Sequence, residues 1–162
     1  MKKVKILLLI GCFMLVSGCS SNTRTCDDGA IDINAVFNDV NEKINDGTYH
    51  CGLFQDQSID ASQLSQLYGI NASEDLLEFN VRIPMINVSS SEIAMFHVKN
   101  GKMDIVKQGV AKRIKDLEEQ WKQYLPDQYE YVKNYKTWVC GDYYYMVIAE
   151  DSEKILDYMK DK

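Results

Sequence analysis

The stretch Leu77-Glu78-Phe79-Asn80-Val81-Arg82-Ile83 decides the fold, because apolar and polar side chains alternate along it without interruption. This period of two is typical of a β-strand with one buried face. Pro84 has no backbone N–H to donate, so it marks the end of the strand or an edge position. A second strand is predicted at residues 93–99, after the serines at 89–91, and Asn100-Gly101 then turns the chain.

A long helix is predicted next, over residues 103–125. One face is apolar at helical spacing and carries Val106, Val110, Ile114, Leu117, Trp121 and Tyr124. Pro126 should break or kink this helix. Two further strands, 137–140 and 143–149, flank the hairpin signal Gly141-Asp142, and a closing helix begins at Asp151 or Ser152.

Two helices are predicted before the first strand. Residues 32–46 repeat apolar side chains at steps of three and four, and residues 62–68 form a shorter helix that Gly69 ends. The whole pattern predicts an α+β domain with a four-stranded, mainly antiparallel sheet. It reads strand, strand, helix twice, preceded by the N-terminal helices, with the helices packed on one face.

The first nineteen residues predict where the protein works. Lys2, Lys3 and Lys5 precede an apolar run at 6–16, which is typical of a secretory signal peptide and too short to span a bilayer as a helix. Val16-Ser17-Gly18-Cys19 resembles the lipobox of bacterial lipoproteins. The resemblance implies attachment of diacylglycerol, with acyl chains such as palmitate, to the Cys19 sulfur and cleavage before Cys19. An ordinary signal peptide that ends in a chance cysteine is the alternative.

Three segments follow from this interpretation: a signal peptide at 1–18, a lipidated Cys19 with a flexible polar tether at 19–32, and one domain at 33–162. Cleavage leaves 144 residues with 15 basic and 24 acidic side chains, a formal charge of −9. Such an acidic chain argues against nucleic acid and against electrostatic adhesion to anionic lipid. The predicted membrane partner is therefore lipid reached through Cys19, at the extracytoplasmic face of the cell membrane.

Three cysteines remain once Cys12 is removed and Cys19 is lipidated: Cys26, Cys51 and Cys140. An odd number outside the cytosol predicts one disulfide, for which Cys51–Cys140 is the first choice, and leaves Cys26 unpaired in the tether. His50-Cys51 offers zinc ligands, but no C-x-x-C spacing accompanies it, so no metal and no cofactor is predicted.

No catalytic motif stands out, and the sequence predicts a protein that is not an enzyme. His97 is read as a partly buried structural side chain in a strand, and Glu74-Asp75 as a solvated acidic pair. Tyr143 and Tyr145 should share a strand face close to Trp138. Exposed together, such rings would suit cell-wall glycan, but half-buried strand aromatics are the preferred interpretation.

The segments Asn80-Val81-Arg82-Ile83-Pro84-Met85-Ile86-Asn87-Val88 and Glu92-Ile93-Ala94-Met95-Phe96 resemble the domain-of-unknown-function family numbered 4358. Further matching positions are Arg113, Trp121, Tyr124-Leu125-Pro126, Gln128-Tyr129 and Gly141. The family consists of small lipoproteins common in clostridia-like bacteria, so the resemblance implies an extracytoplasmic lipoprotein of Gram-positive type. It carries no assigned active site.

Three functions remain open from the sequence. The preferred one is a tethered interaction or accessory protein that docks an envelope partner through one sheet face. The alternatives are a lipoprotein that binds a small ligand or cell-wall glycan and, third, an envelope hydrolase with an unfamiliar site.

Overall fold

The structure, a computed structural model, describes residues 29–53 and 56–162 and is built around one antiparallel sheet of five strands in the order β1-β2-β3-β5-β4. The strands are β1 (Asp56–Ser58), β2 (Leu76–Pro84), β3 (Glu92–Val98), β4 (Lys136–Cys140) and β5 (Tyr143–Ile148). The helices are α1 (Ile33–Asn45), α2 (Ala61–Tyr68), α3 (Ala72–Asp75), α4 (Met103–Trp121), α5 (Pro126–Lys133) and α6 (Ser152–Lys160).

The register of the central strands defines two ends of the sheet. Glu92 pairs with Ile148 at one end, which also holds the C-terminal end of β2. At the other end Leu76 pairs with Val98, and Cys140 pairs with Tyr143. These are called the Glu92 end and the Val98 end below. Six residue steps along β3 separate them, which corresponds to about 20 Å.

Helices cover both faces of the sheet, so the prediction that they pack on one face is wrong. Along β5, Tyr144, Met146 and Ile148 face a core formed with α2, α4 and α5. Their neighbours Tyr143, Tyr145 and Val147 face a second core formed with α1 and α6. The two strand-strand-helix units thus send α4 and α6 to opposite faces, and β5 is buried on both of its faces.

The fifth strand is a correction to the predicted four. β1 is a polar edge strand of three residues, Asp56-Gln57-Ser58, that pairs with Pro84, Ile83 and Arg82 at the end of β2. Such a short polar run has neither hydrophobic alternation nor β-branched residues, so its sequence carries no strand signal.

In β2, Phe79, Val81 and Ile83 pack against one core, but Asn80 between them is 5% exposed, so the strand does not have the single buried face that was predicted. The alternation also fails at Leu77. The register between β2 and β3 shifts between Leu76 and Glu78, so the chain bulges there. As a result Leu76 is buried, while Leu77 is 59% exposed. A bulge inserts one residue and reverses the face on which the following side chains lie.

The predicted helix boundaries agree with the structure to within a few residues. The Asp32 carboxylate accepts hydrogen bonds from the backbone N–H groups of Asn34 and Ala35, at 3.0 Å each, and so caps α1. Gly69 ends α2 with φ at 70°, a left-handed conformation that suits glycine. Before Pro126, α4 stops at Trp121 rather than continuing to residue 125, and Pro126 opens α5. Tyr124 lies beyond the helix and is 62% exposed, instead of completing the buried face.

The predicted signal peptide, Cys19 and most of the predicted tether fall outside the described residues. Within the described ranges, none of the helices combines the length and apolar character that crossing a membrane requires.

Candidate functional site

The loops at the Glu92 end form the candidate site, because three neighbouring clefts open there. The largest, about 530 Å³, lies between α5, the N-terminus of α6 and the segment 149–151. A second of about 210 Å³ shares the walls Tyr131 and Glu150 with the first. A third of about 100 Å³ lies between Pro84, Asn87 and Trp121.

A buried ion pair anchors this end of the sheet. Glu92, at the start of β3, is 1% exposed. Its carboxylate accepts hydrogen bonds from Arg113 of α4: Oε2 lies 2.6 Å from Nη2 and 3.1 Å from Nε, and Oε1 lies 3.2 Å from Nε. The Tyr68 hydroxyl, from the end of α2, donates a short hydrogen bond to Oε1. Three elements that are distant in sequence therefore meet at one carboxylate.

Tyr68, Glu92 and Arg113, called the triad below, stabilise one another electrostatically. Burial, together with the adjacent Glu92 charge, raises the pKa of Tyr68 well above its ordinary value. Burial opposes the charge of Arg113, but the attraction and hydrogen bonds of Glu92 outweigh it and raise the pKa of Arg113. Tyr68 therefore stays a hydrogen-bond donor and Arg113 a cation at physiological pH, and the triad holds α2, α4 and β3 together.

A second charged cluster joins the loop at His50 to the start of α6. Asp151 accepts a hydrogen bond from the His50 backbone N–H at 2.8 Å, and its carboxylate lies 3.1 Å from His50 Nδ1. Lys154 Nζ lies 2.6 Å from the second carboxylate oxygen. These contacts lower the pKa of Asp151 to about 2. The hydrogen bond from Lys154 contributes most, and the hydrogen bond from the His50 backbone contributes next. The anionic Asp151 therefore pins the His50 loop across 101 residues of sequence.

The serines beside this cluster hold backbone rather than present a nucleophile. Ser91 Oγ accepts a hydrogen bond from the Gly52 N–H at 3.0 Å, and Ser89 Oγ accepts one from the Ser91 N–H at 3.1 Å. A Cβ at Gly52 would lie 2.4 Å from Ser89 Oγ, so a larger residue there would displace this hydroxyl. The chemistry that this arrangement supports is binding in a polar cleft.

An apolar tip projects beside the clefts. In loop 85–88 (Met85, Ile86, Asn87 and Val88) three side chains are exposed, Met85 by 61%, Ile86 by 45% and Val88 by 56%. Tyr124 lies nearby, since its ring is 5.9 Å from that of Trp121, which lines the third cleft together with Asn87.

Ser90, two residues after loop 85–88, is hydrogen-bonded to α5. The Ser90 N–H donates to Gln128 Oε1 at 2.7 Å, and the Ser90 hydroxyl donates to the Gln128 carbonyl at 2.9 Å. Loop 85–88 is therefore an exposed apolar surface next to a segment that is hydrogen-bonded to α5.

The family model described as Domain of unknown function (DUF4358) matches residues 52–149, more than half of the chain. The chain belongs to the DUF4358 family. Comparison with curated proteins and with solved structures found no match. The DUF4358 region contains all five strands, the triad and loop 85–88, whereas α1, His50 and Asp151 lie outside it.

The predicted disulfide between Cys51 and Cys140 is wrong, because the two residues lie at opposite ends of the DUF4358 sheet. Cys140 pairs with Tyr143 at the Val98 end, whereas Gly52, next to Cys51, is hydrogen-bonded to Ser91 at the Glu92 end. The separation is about 17 Å along β5, and a disulfide needs Cα atoms about 4.4–6.8 Å apart. Cys140 is nevertheless disulfide-bonded.

The aromatic residues named from the sequence are placed in the core. Tyr143 and Tyr145 share a face, as predicted, but they are 8% and 0% exposed beneath α1 and α6, so they do not form a glycan platform. Trp138 packs on Tyr145 with ring centroids 5.2 Å apart. His97 is partly buried and stacks on Tyr143 at 4.3 Å, which agrees with a structural role.

Asp75 corrects the prediction of a solvated acidic pair. It is 5% exposed and forms an ion pair with Lys102 at 2.9 Å, while Glu74 is exposed as predicted. Burial alone would raise the pKa of Asp75, but hydrogen bonds from Lys102 and the Asn71 backbone outweigh it and lower the pKa. Within residues 29–53 and 56–162, no group of three His, Cys, Asp or Glu side chains is placed to hold a metal ion.

Proposed function

We propose that this protein is a lipid-anchored, extracytoplasmic lipoprotein that docks a second protein of the cell envelope through loop 85–88. The observation that carries the proposal is the exposure of Met85, Ile86 and Val88 within four consecutive residues, next to Ser90, which is hydrogen-bonded to α5. Clustered exposed apolar side chains on a folded domain are typical of an interaction site.

The charge around the tip favours a protein over the bilayer as its occupant. Residues 84–91 contain no lysine or arginine, and the chain without its leader carries a formal charge of −9. Segments that rest on membrane surfaces combine apolar side chains with basic ones that bind anionic headgroups. Contact with the bilayer is assigned instead to the lipid on Cys19.

Lipid attachment is expected at Cys19. Cells supplied with a labelled fatty acid should incorporate the label into this protein, and Cys19→Ala should abolish incorporation, because only the cysteine sulfur accepts the diacylglyceryl group. The measurement is label per protein after purification from membranes. Equal labelling of wild type and Cys19→Ala would contradict the anchor.

Docking is expected to depend on loop 85–88 in intact cells. A photoreactive amino acid at Ile86 should form an adduct with another envelope protein, since this side chain is exposed beside Met85 and Val88. The double substitution Met85→Asp/Val88→Asp should lower the adduct yield at least about tenfold, because burying two carboxylates costs more than the 1.4 kcal/mol that a factor of ten represents. Exposed positions leave the fold intact, and thermal denaturation checks this.

Leu77 provides the matched control, because it is 59% exposed but lies at the Val98 end. The photoreactive group at Leu77 should not capture the same protein, and Leu77→Asp should leave the Ile86 adduct unchanged. Adducts only with lipid, only with a second copy of this chain, or equally from both positions would overturn the proposal.

Small-ligand or glycan binding is the second candidate, because the cleft of about 530 Å³ has the size of ordinary ligand sites. Its walls are mainly polar and charged, with Tyr131 as an aromatic wall. Under this alternative Tyr131→Ala would abolish binding and the loop 85–88 substitutions would have no effect.

A further inference from the structure

Cys140 is disulfide-bonded, and the geometry of the sheet excludes Cys51 as its partner. We propose that Cys140 is joined to Cys26, so that the lipidated tether is tied covalently to the end of β4. The proposal rests on the proposed anchor, since lipid attachment consumes the Cys19 sulfur and cleavage removes Cys12. It replaces the sequence-based expectation that Cys26 is unpaired.

The position where the described chain begins supports this pairing. The Ile31 backbone N–H donates a hydrogen bond to the Tyr143 hydroxyl at 2.9 Å, and Tyr143 pairs with Cys140 across the β4–β5 hairpin. Paired residues on neighbouring strands have Cα atoms about 5 Å apart. Cys26 precedes Ile31 by five residues, which reach at most about 17 Å. The chain therefore enters the domain at the Val98 end, within reach of Cys140.

Bond formation needs an oxidant of a defined class. The thiols of Cys26 and Cys140 lose two protons and two electrons when the S–S bond forms. An extracytoplasmic dithiol oxidoreductase accepts both in its own disulfide, through a mixed-disulfide intermediate, and is left with two thiols. The balance requires no metal and no further cofactor.

The disulfide determines which end of the domain faces the membrane. Cys19 precedes Cys26 by seven positions, a segment with a root-mean-square reach of about 15 Å. The Val98 end is thus held next to the bilayer, and loop 85–88 lies about 20 Å farther out, at the other end of β3. This places the proposed docking loop where an envelope protein, rather than the anchoring membrane, is encountered.

Peptide mapping of the full-length lipidated protein tests the pairing directly. The purified protein is denatured without reductant, alkylated and digested with trypsin, which separates Cys19, Cys26, Cys51 and Cys140 into the peptides 19–24, 25–43, 44–82 and 137–154. We expect 25–43 linked to 137–154 and an alkylated thiol on 44–82. Linkage of 44–82 to 137–154, or alkylation of both 25–43 and 137–154, would overturn the pairing.

The outcome separates this pairing from the proposed function. Linkage of 19–24 to 137–154 would overturn both the pairing and the lipid anchor, whereas the docking experiment at Ile86 is independent of every disulfide result. The orientation of the domain is tested separately. The full-length lipidated protein is placed in vesicles whose lipid headgroups carry a fluorescence quencher. A fluorescent amino acid at Asp142 should then be quenched more strongly than one at Val88. Equal or reversed quenching would overturn the orientation.

Discussion

Arg113→Ala should lower the free energy of unfolding by about 3–5 kcal/mol, because it leaves the Glu92 carboxylate charged and buried without its partner. Glu92 is 1% exposed, and Arg113 donates hydrogen bonds to both of its carboxylate oxygens. Urea denaturation of wild type and variant at neutral pH measures the loss. The midpoint should fall while the dependence on urea stays the same.

Two further variants identify the origin of that loss. Tyr68→Phe removes one hydrogen bond to the carboxylate and should cost about 1.5–3 kcal/mol. The triple substitution Tyr68→Phe/Glu92→Leu/Arg113→Met replaces the whole triad by apolar groups of similar volume and should recover most of the stability lost in Arg113→Ala.

Lys112→Ala is the matched control on the same helix. Its ion pair with Asp116 is about half exposed, so the cost should stay below about 1 kcal/mol. If Arg113→Ala cost no more than Lys112→Ala, the triad would not anchor the Glu92 end.

Gly109→Ala should destabilise the protein by about 1–3 kcal/mol, although alanine is the better helix former by about 1 kcal/mol. A Cβ at Gly109 would lie 2.7 Å from the Tyr68 carbonyl oxygen and 2.7 Å from Ile70 Cγ1. A backbone oxygen cannot rotate away as a flexible side chain can, so α4 must move from α2. The shift should also weaken the Tyr68 hydrogen bond to Glu92.

Gln108 gives the comparison, since it precedes Gly109 on α4 and is exposed. Gln108→Ala should change the free energy of unfolding, measured by urea denaturation, by less than about 0.5 kcal/mol. A Gly109→Ala protein as stable as wild type would show that α2 and α4 do not pack as closely as described.

The local elements could be predicted from sequence because their signals are local. Asp32 and Gly69 mark helix ends within one or two residues, Pro126 opens α5, and Phe79, Val81 and Ile83 share one face of β2. The bulge at Leu77 could not be predicted, since nothing in the sequence distinguishes Leu76 from Leu77 before β3 is in place.

The two-sided burial of the sheet has a signal in the sequence. Tyr143 to Ile148 is apolar or aromatic at every position, and so is most of β3. A strand with one solvent-exposed face would instead alternate between apolar and polar side chains. Uniformly apolar strands point to a sheet covered on both faces.

The candidate site could be predicted only in part. Tyr68, Glu92 and Arg113 are separated by more than 20 residues, and His50 and Asp151 by 101, so their pairing follows from the sheet topology alone. Loop 85–88 was visible as apolar residues after Pro84, but its exposure depends on β3 and α5.

The place of β5 in the sheet has a consequence for how the chain is made. Residues 143–148 form the strand that sits between β3 and β4, yet they are synthesised after both of these strands. Until they arrive, β3 presents an open row of amides and carbonyls, and Tyr-Tyr-Tyr-Met-Val-Ile is itself uncharged and prone to intermolecular stacking. Folding is therefore completed late, and premature termination before residue 143 should yield aggregates rather than a smaller domain.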